Sequence, residues 1–202
     1  MSVFTPPTLL DAQRWKHLNI GLFGGTFNPP HEGHLHVCEH ALKALNLDFI
    51  WWMVTPQNPL KKCTKIPSFD NRITLSQKIV NHPQILVTDI EKQLNTHVSI
   101  DTIHKLKLHF PSTNFIWLAG TDNALTLHKW EGWKEIIHET GFFFVSRPPS
   151  ISILKQCPVR ILSPKVNKMT QRGANKFKPG ENIWCLNTPL VKQSSTNIRS
   201  AD

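Results

Sequence analysis

The sequence lacks the features of a membrane-spanning or secreted protein. Its longest apolar run, 49–54, is far shorter than the roughly 18 residues that a spanning helix needs. The first ten residues contain no basic cluster followed by an apolar stretch, so we expect no secretory signal. The few cysteines show no C-x-x-C spacing, which argues against a zinc site or a disulfide scaffold and favours thiols in a reducing compartment. They are Cys38, Cys63, Cys157 and Cys185. We therefore predict a cytoplasmic protein that does not insert into a membrane.

Acidic residues are also scarce relative to basic ones. Asp and Glu number 14 against 23 Lys and Arg, so the formal net charge is +9. Such an excess favours anionic partners: nucleotides, nucleic acid, phosphorylated metabolites or an anionic membrane surface. With 40% hydrophobic and 18% charged residues, the chain can bury the core of one domain. We predict a single domain over residues 1–202, in which 1–17 form an N-terminal extension and 147–180 a basic, partly irregular insertion.

Short apolar runs alternate along the chain with segments of helical period. The runs predict buried strands, and the intervening segments predict helices at 33–45, 69–81 and 97–109, with Ser68 as the N-cap of the second. Short helical stretches are expected within 123–138. This alternation predicts an α/β fold, a doubly wound, Rossmann-like parallel sheet with helices on both faces, whose ligands bind beyond the carboxyl ends of the strands. The predicted strands are 18–23, 48–54, 85–87, 115–119, 141–145 and 183–186.

The strongest candidate site is the segment 24–34, GGTFNPPHEGH, which follows the first predicted strand. Glycines after a strand let the backbone approach a phosphate closely, and the next helix offers unpaired N–H groups at its positive end. His31 and His34 can both donate to one phosphate. The spacing differs from H-E-x-x-H, from G-x-G-x-x-G and from a Walker loop, which argues against those three classes. The alternative interpretation is a tight turn with two surface histidines that cap a helix.

A second candidate segment, 194–199 or SSTNIR, has hydroxyls at a predicted helix start. Such hydroxyls cap the helix, and Arg199 lies one turn beyond Ser195 on the same face. Its guanidinium can hold phosphate oxygens in a bidentate manner. The alternatives are a Ser-rich helix start without a ligand and a disordered tail.

Together, the two segments resemble the signatures of the nucleotidyltransferase superfamily of adenylyl and cytidylyl transferases. Three middle segments make the sequence similar, more narrowly, to the bacterial nicotinate-nucleotide adenylyltransferase family: 55–61 (TPQNPLK), 118–123 (LAGTDN), and Trp130 with Trp133. The resemblance extends from about Ile20 to Arg199. It implies transfer of the adenylyl group of ATP, supplied with Mg²⁺, to nicotinate mononucleotide. The products are nicotinate adenine dinucleotide and pyrophosphate, in NAD biosynthesis.

The resemblance also implies roles for individual residues. The implied catalytic residues, which stabilise charge as it develops on the phosphates, are His31, His34 and Arg199. The implied ATP-binding residues are Gly24, Gly25, Thr26, Phe27, His34, Gly120, Asp122, Ser194, Ser195, Thr196 and Arg199. The implied mononucleotide-binding residues are Asn58, Ser99, Trp130 and Glu131. No metal site on the protein itself is implied, because Mg²⁺ arrives with ATP.

Three alternatives stay open at this point. The acceptor could instead be nicotinamide mononucleotide or phosphopantetheine. The basic residues between 165 and 178 could form a nucleic-acid surface on a module without catalysis. The chain could also bind ATP as a silent sensor. We expect ATP and nicotinate mononucleotide as partners, with no nucleic acid and no membrane, and the sequence indicates no oligomeric state.

Overall fold

A parallel β-sheet organises the computed structural model, which describes residues 9–56, 66–146, 157–162, 167–169 and 177–186. The described strands are β1 (Asn19–Gly25), β2 (Phe49–Val54), β3 (Ile85–Thr88), β4 (Asn114–Gly120), β5 (Phe142–Val145), β6 (Asn167–Met169) and β7 (Asn182–Cys185). The described α-helices are α1 (Glu32–Leu45), α2 (Phe69–Ile79), α3 (Ile90–Gln93), α4 (Ser99–His109), α5 (Thr121–Thr126), α6 (Trp133–Thr140) and α7 (Pro158–Leu162). Two 3-10 segments, Leu9–Trp15 and Leu127–Lys129, complete the described elements.

The seven described strands lie in the order β3-β2-β1-β4-β5-β7-β6, and each neighbouring pair is parallel. The chain winds outward from β1 through β2 to β3, then returns to place β4 on the other side of β1. The predicted doubly wound parallel sheet is therefore confirmed. Its carboxyl edge gathers the loops that follow the strands, and the direction of winding reverses between β1 and β4.

Side chains alternate between the two faces of the sheet, and each face is covered by helices. On one face, Phe23 and Trp52 pack with Val37 and Ala41 of α1 and with partly buried residues of α2. On the other face, the core holds residues of β1, β2 and β4 together with residues of α3, α4 and α6. Every residue of β2 except Phe49 is buried. Burial on both faces explains why the strands read as continuous apolar runs.

The first helix begins close to the carboxyl end of β1. Its buried residues recur at helical spacing and face the sheet. It ends where Asn46 adopts the left-handed conformation, with φ 51° and ψ 49°. The predicted cap of α2 is also present, because the N–H of Asn71 donates to Oγ of Ser68 at 3.3 Å. Both helices thus start at the edge where ligands bind in such folds.

Three details differ from the sequence expectations. Gly24 and Gly25 lie inside β1, paired with Met53 and Val54, instead of in the loop after it. The short helix α3 follows β3 directly, where only four residues are helical and no periodicity is detectable. The segment 147–180, predicted as a basic, partly irregular insertion with no assigned elements, contains α7 and the edge strand β6. These elements are too short to show a hydrophobic period, and β6 depends on pairing with β7.

The turn between α6 and β5 generates a stability prediction. Gly141 has φ 73° and ψ 174°, and a Cβ there would clash with the carbonyl oxygen of Glu181. Gly141→Ala should therefore lower the free energy of unfolding by about 3 kcal/mol or more in urea titration. Gly180 is the matched control, since its φ is 83° but a Cβ would meet nothing within 4 Å. Its Ala variant should lose only about 1 kcal/mol, and equal losses would contradict the clash.

Candidate functional site

Strands β1 and β4 separate at the carboxyl edge of the sheet. Their pairing ends at Leu22 and Trp117. In contrast, β1 pairs with β2 as far as Gly25, and β4 pairs with β5 as far as Gly120. The last residues of β1 and β4 are therefore unpaired with each other, at the point where the winding reverses. Open α/β sheets bind ligands in such a crevice.

The two predicted histidines lie at the start of α1, beside this crevice. The N–H of His31, the N-cap residue, donates to Nδ1 of His34 at 3.2 Å. The N–H of His34 donates to the carbonyl of His31 at 2.8 Å, and the ring centroids are 3.7 Å apart. Because Nδ1 accepts, a neutral His34 carries its proton on Nε2, which is the nitrogen that can donate to an anion. His31 is buried, so the interpretation of two surface histidines is wrong for it.

An aromatic frame surrounds His34 and was not predicted. The imidazole makes edge contacts with Phe27 and Trp52, at centroid distances of 5.1 and 5.9 Å, and lies 6.1 Å from Phe23. Phe27 stacks on Trp52 at 4.4 Å. These rings restrict the orientations open to the imidazole. We infer that Phe27 orients His34, in addition to lying in the predicted ATP loop.

Packing of aromatic rings, in addition to the predicted close approach of a phosphate, explains why glycine occupies positions 24 and 25. A Cβ on Gly25 would lie 3.0 Å from the Phe27 ring, and one on Gly24 would lie 3.1 Å from the Trp117 ring. Phe27 itself has φ 49°, a region that bulky residues seldom occupy. Backbone conformations of this kind concentrate at functional sites, where the surrounding structure imposes them.

Of the residues assigned to the mononucleotide, Ser99, Trp130 and Glu131 lie in two segments that pack against each other. Gly132 follows Trp130 and Glu131, and a Cβ on it would contact Ile100 at 3.0 Å, so this turn packs against the start of α4. Ser99 is the first residue of that helix. The turn and Ser99 are far apart in sequence, and only the fold makes them neighbours.

Trp117 connects the two sides of the site. Its buried ring contacts Gly24 on one side and makes an edge contact with Trp130 at a centroid distance of 6.1 Å on the other. Sequence reasoning placed Trp117 only within the core strand β4. An aromatic residue just before LAGTD is a weak signal, and its role as a spacer becomes visible only from the contacts.

The two positions expected to meet ATP after the fourth strand are at the carboxyl edge. Gly120 ends β4 and is the N-cap of α5, and Asp122 lies in the first turn of that helix. Five further predicted site residues lie outside the described residues: Asn58, Ser194, Ser195, Thr196 and Arg199. Their assignments remain predictions.

Arg72 of α2 was missed by sequence reasoning, although it is 2% exposed. Its guanidinium donates to the carbonyl oxygens of Thr26 and Thr55, both at 2.8 Å, and of Pro56 at 3.0 Å. Its Nε donates to the carbonyl of Pro67 at 3.3 Å. Burial lowers the pKa of this guanidinium from its ordinary value. A single Arg among the polar residues of an amphipathic helix gives no sequence signal.

Glu91 of α3 is a second buried charged residue close to the site, with 4% exposure. Burial raises its pKa to about 7, although a hydrogen bond from the Thr55 side chain acts in the opposite direction. Its Oε2 has no hydrogen-bond partner within the part of the chain that is described. Arg72 and Glu91 thus both bind Thr55, one at the backbone and one at the side chain.

The chain is similar to several known proteins. A family model described as cytidylyltransferase-like matches residues 22–201. A probable nicotinate-nucleotide adenylyltransferase of Parvibaculum lavamentivorans is 45% identical over 183 residues, covering 90% of this chain and 91% of that protein. One of Ruegeria pomeroyi is 40% identical over 185 residues, covering 90% and 85%.

A solved structure supports the fold independently. Plasmodium falciparum nicotinic acid mononucleotide adenylyltransferase complexed with NaAD superposes with a TM-score of 0.64 at 19% identity. The alignment covers 91% of this chain and 83% of that chain.

Among the described residues, no helix has the length and apolarity that a membrane crossing requires.

The buried carboxyl of Glu91 predicts a pH-dependent stability. The unfolded chain releases this proton near pH 4.5 and the folded chain near pH 7. The free energy of unfolding should therefore fall between these values as pH rises, by about 3 kcal/mol at most. Glu91→Gln should remove this fall, as measured by urea titration at several pH values. The exposed Glu39→Gln is the control, and parallel curves for wild type and Glu91→Gln would contradict the prediction.

Proposed function

We propose that this chain, which belongs to the cytidylyltransferase-like family and within it to the nicotinate-nucleotide adenylyltransferases, transfers the adenylyl group of ATP to nicotinate mononucleotide. The products are nicotinate adenine dinucleotide and pyrophosphate, and the reaction belongs to NAD biosynthesis. The observation that carries this function is the His31–His34 pair at the start of α1, beside the crevice between β1 and β4. A solved relative of the same fold binds an adenine dinucleotide product, NaAD.

The reaction needs no nucleophile from the protein. A phosphate oxygen of the mononucleotide attacks the α-phosphorus of ATP, the bond to the bridging oxygen breaks, and pyrophosphate leaves with the electron pair. The protein must align two anions and stabilise the negative charge that moves to the leaving group. ATP enters as its Mg²⁺ complex, and the excess of basic residues attracts both substrates.

On the ATP side, Nε2 of His34 is the donor that we assign to the phosphates. Its orientation follows from the hydrogen bond at Nδ1 and from the contacts with Phe27 and Trp52. The N-terminus of α1 adds unpaired N–H groups and a positive dipole end. His31, Gly24, Gly25 and Thr26 line the same edge. Gly120 and Asp122 lie at the end of β4, where the ribose of ATP would bind.

On the acceptor side, Trp130 provides an aromatic face for the pyridine ring. The turn that carries Trp130 packs against Ile100, so it lies close to the start of α4, where Ser99 and the first N–H groups are. A helix N-terminus favours the nicotinate carboxylate over an uncharged carboxamide. Glu131 is exposed, so its backbone N–H is assigned to the ligand and not its carboxylate. This arrangement supports nicotinate mononucleotide as the preferred acceptor.

Pyrophosphate release from MgATP tests the function directly. Nicotinate mononucleotide, nicotinamide mononucleotide and phosphopantetheine are offered separately to the purified protein. We expect release with nicotinate mononucleotide to exceed that with either of the others by at least about tenfold, since a carboxylate contact is worth more than about 1.4 kcal/mol. Release only with another acceptor would discard the assignments of Ser99 and Trp130. Binding of ATP without release under any condition would identify a sensor.

Replacing His34 supplies the catalytic test. His34→Ala should reduce kcat by about 10²–10³-fold, because it removes one donor to a developing charge, while circular dichroism remains unchanged. His40→Ala is the matched control on the same helix, away from the proposed phosphate site. A His34→Ala enzyme with near-normal turnover would remove the imidazole from the mechanism.

Replacing Trp130 separates the two substrates. Trp130→Ala should raise KM for nicotinate mononucleotide by about tenfold and leave KM for ATP within about twofold, since a lost stacking face costs about 1–3 kcal/mol. Trp133→Ala is the control, since Trp133 also packs against the core and should affect thermal stability without this split. Equal effects of Trp130→Ala on both KM values would make it a packing residue.

A further inference from the structure

We propose that Arg72 is a positioning residue for adenylyl transfer. Its buried guanidinium holds the backbone at the ends of β1 and β2 in the geometry that the substrates require. This inference rests on the function proposed above, and it concerns a residue that lies outside the histidine motif. Arg72 touches no part of the proposed substrate path and acts through the carbonyl groups that it binds.

The hydrogen bonds of Arg72 join three separate segments of chain. Thr26 follows β1, Thr55 and Pro56 follow β2, and Pro67 precedes α2. A guanidinium is planar and carries five donors in a fixed fork, so it imposes relative positions on the oxygens that it binds. One side chain of α2 thereby links the segments that follow two neighbouring strands.

Burying this cation is costly and has no compensation from a carboxylate. Among the described residues, no acidic group lies within ion-pair distance of Arg72. The lowered pKa reflects the same desolvation. A buried charge satisfied only by carbonyl dipoles is weak as a stabilising device, because well-packed apolar groups often do as well or better. The specific geometry of its contacts is therefore the more direct reason for its presence.

The hydrogen bond from Arg72 to the carbonyl of Thr26 is the contact through which Arg72 affects catalysis. The next residue, Phe27, has a positive φ and stacks on Trp52, beside His34. A hydrogen bond at Thr26 fixes the peptide plane that precedes this strained residue. Arg72 therefore acts on the ATP loop one residue before the ring that orients the imidazole.

Thr55 is held from two further directions. Its N–H donates to the carbonyl of Gly25 at 2.9 Å, and its side chain hydrogen-bonds to Glu91. The residue that follows β2 thus has assigned partners for its N–H, its carbonyl and its hydroxyl. Gly25, Arg72 and Glu91 belong to three different elements, and together they define the backbone between the two strand ends.

Arg72→Lys is the variant that tests positioning. An ammonium keeps the charge but cannot reproduce the fork, so it cannot hold all of the carbonyls at once. We expect kcat to fall by about tenfold to a hundredfold, as displacements of about 1 Å at a reacting centre produce. KM for ATP should rise by severalfold. Calorimetry should show a parallel rise in Kd for MgATP, measured without any acceptor.

Two controls separate positioning from a loss of stability. Arg14→Lys changes an exposed arginine of the 3-10 segment Leu9–Trp15, and should leave all kinetic constants unchanged. Leu106→Ala removes a buried side chain of α4 and should lower Tm by at least as much as Arg72→Lys does. Assayed well below both midpoints, it should keep kcat and both KM values within about twofold of wild type, since the lost packing affects folding alone.

Chemical rescue supplies the second measurement. Arg72→Ala leaves a cavity shaped for a guanidinium, and low millimolar guanidinium should restore part of its turnover in a saturable manner. The same additive should not raise the activity of Leu106→Ala or of wild type. Saturable rescue supports the proposal, because a merely destabilised enzyme would not recover.

Several results would overturn the inference. They are wild-type kinetics for Arg72→Lys, an equal kinetic loss in Leu106→Ala, or failure of both Arg72 variants to fold, which would make Arg72 a requirement of the fold alone. Failure of the proposed function is distinguishable from these, because it would appear in the wild-type protein as no release with nicotinate mononucleotide. The Kd of MgATP would still report whether Arg72 positions the loop.

Discussion

The separation of β1 from β4 is the constraint on which the site depends. Pairing stops at Leu22 and Trp117, while each strand stays paired on its other side. The unpaired ends can diverge without loss to the rest of the sheet, because β2 and β5 hold them in place. His31 and His34 of the α1 start lie beside the resulting crevice, and Trp117 of β4 contacts the ring of Trp130.

Aromatic side chains pack around this crevice and define its shape. Phe27 and Trp52 pack around His34, and Trp117 spans from Gly24 to Trp130. Rings of this size have few rotamers and large contact areas, so they transmit position with little freedom. The glycines of the motif leave room for these rings. Gly24 and Gly25, which the sequence predicts to allow close approach of a phosphate, therefore also leave space for the rings of Trp117 and Phe27.

Beneath the aromatic layer lie two buried charged residues, Arg72 and Glu91. Arg72 binds carbonyl groups, and Oε2 of Glu91 has no hydrogen-bond partner among the residues that the structure describes. Neither residue is the least costly choice for stability. Both act on Thr55, at the end of a fully apolar strand. Polar groups retained at such cost concentrate near functional sites, where geometry matters more than stability.

The fold class, the order of the main elements and the histidine motif with its family could all be predicted from local sequence patterns. Apolar periodicity and the motifs GGTF and HEGH are local signals, so they can be recognised in the sequence without coordinates. Short elements such as α3 and β6 were not predicted, because so few residues show no hydrophobic periodicity. Only the three-dimensional structure reveals the roles of Arg72, Glu91 and Trp117. It alone also shows that the turn at Trp130 packs against the start of α4, where Ser99 lies. The physical reason is that each depends on contacts between segments distant in sequence, where a single residue type has no pattern around it.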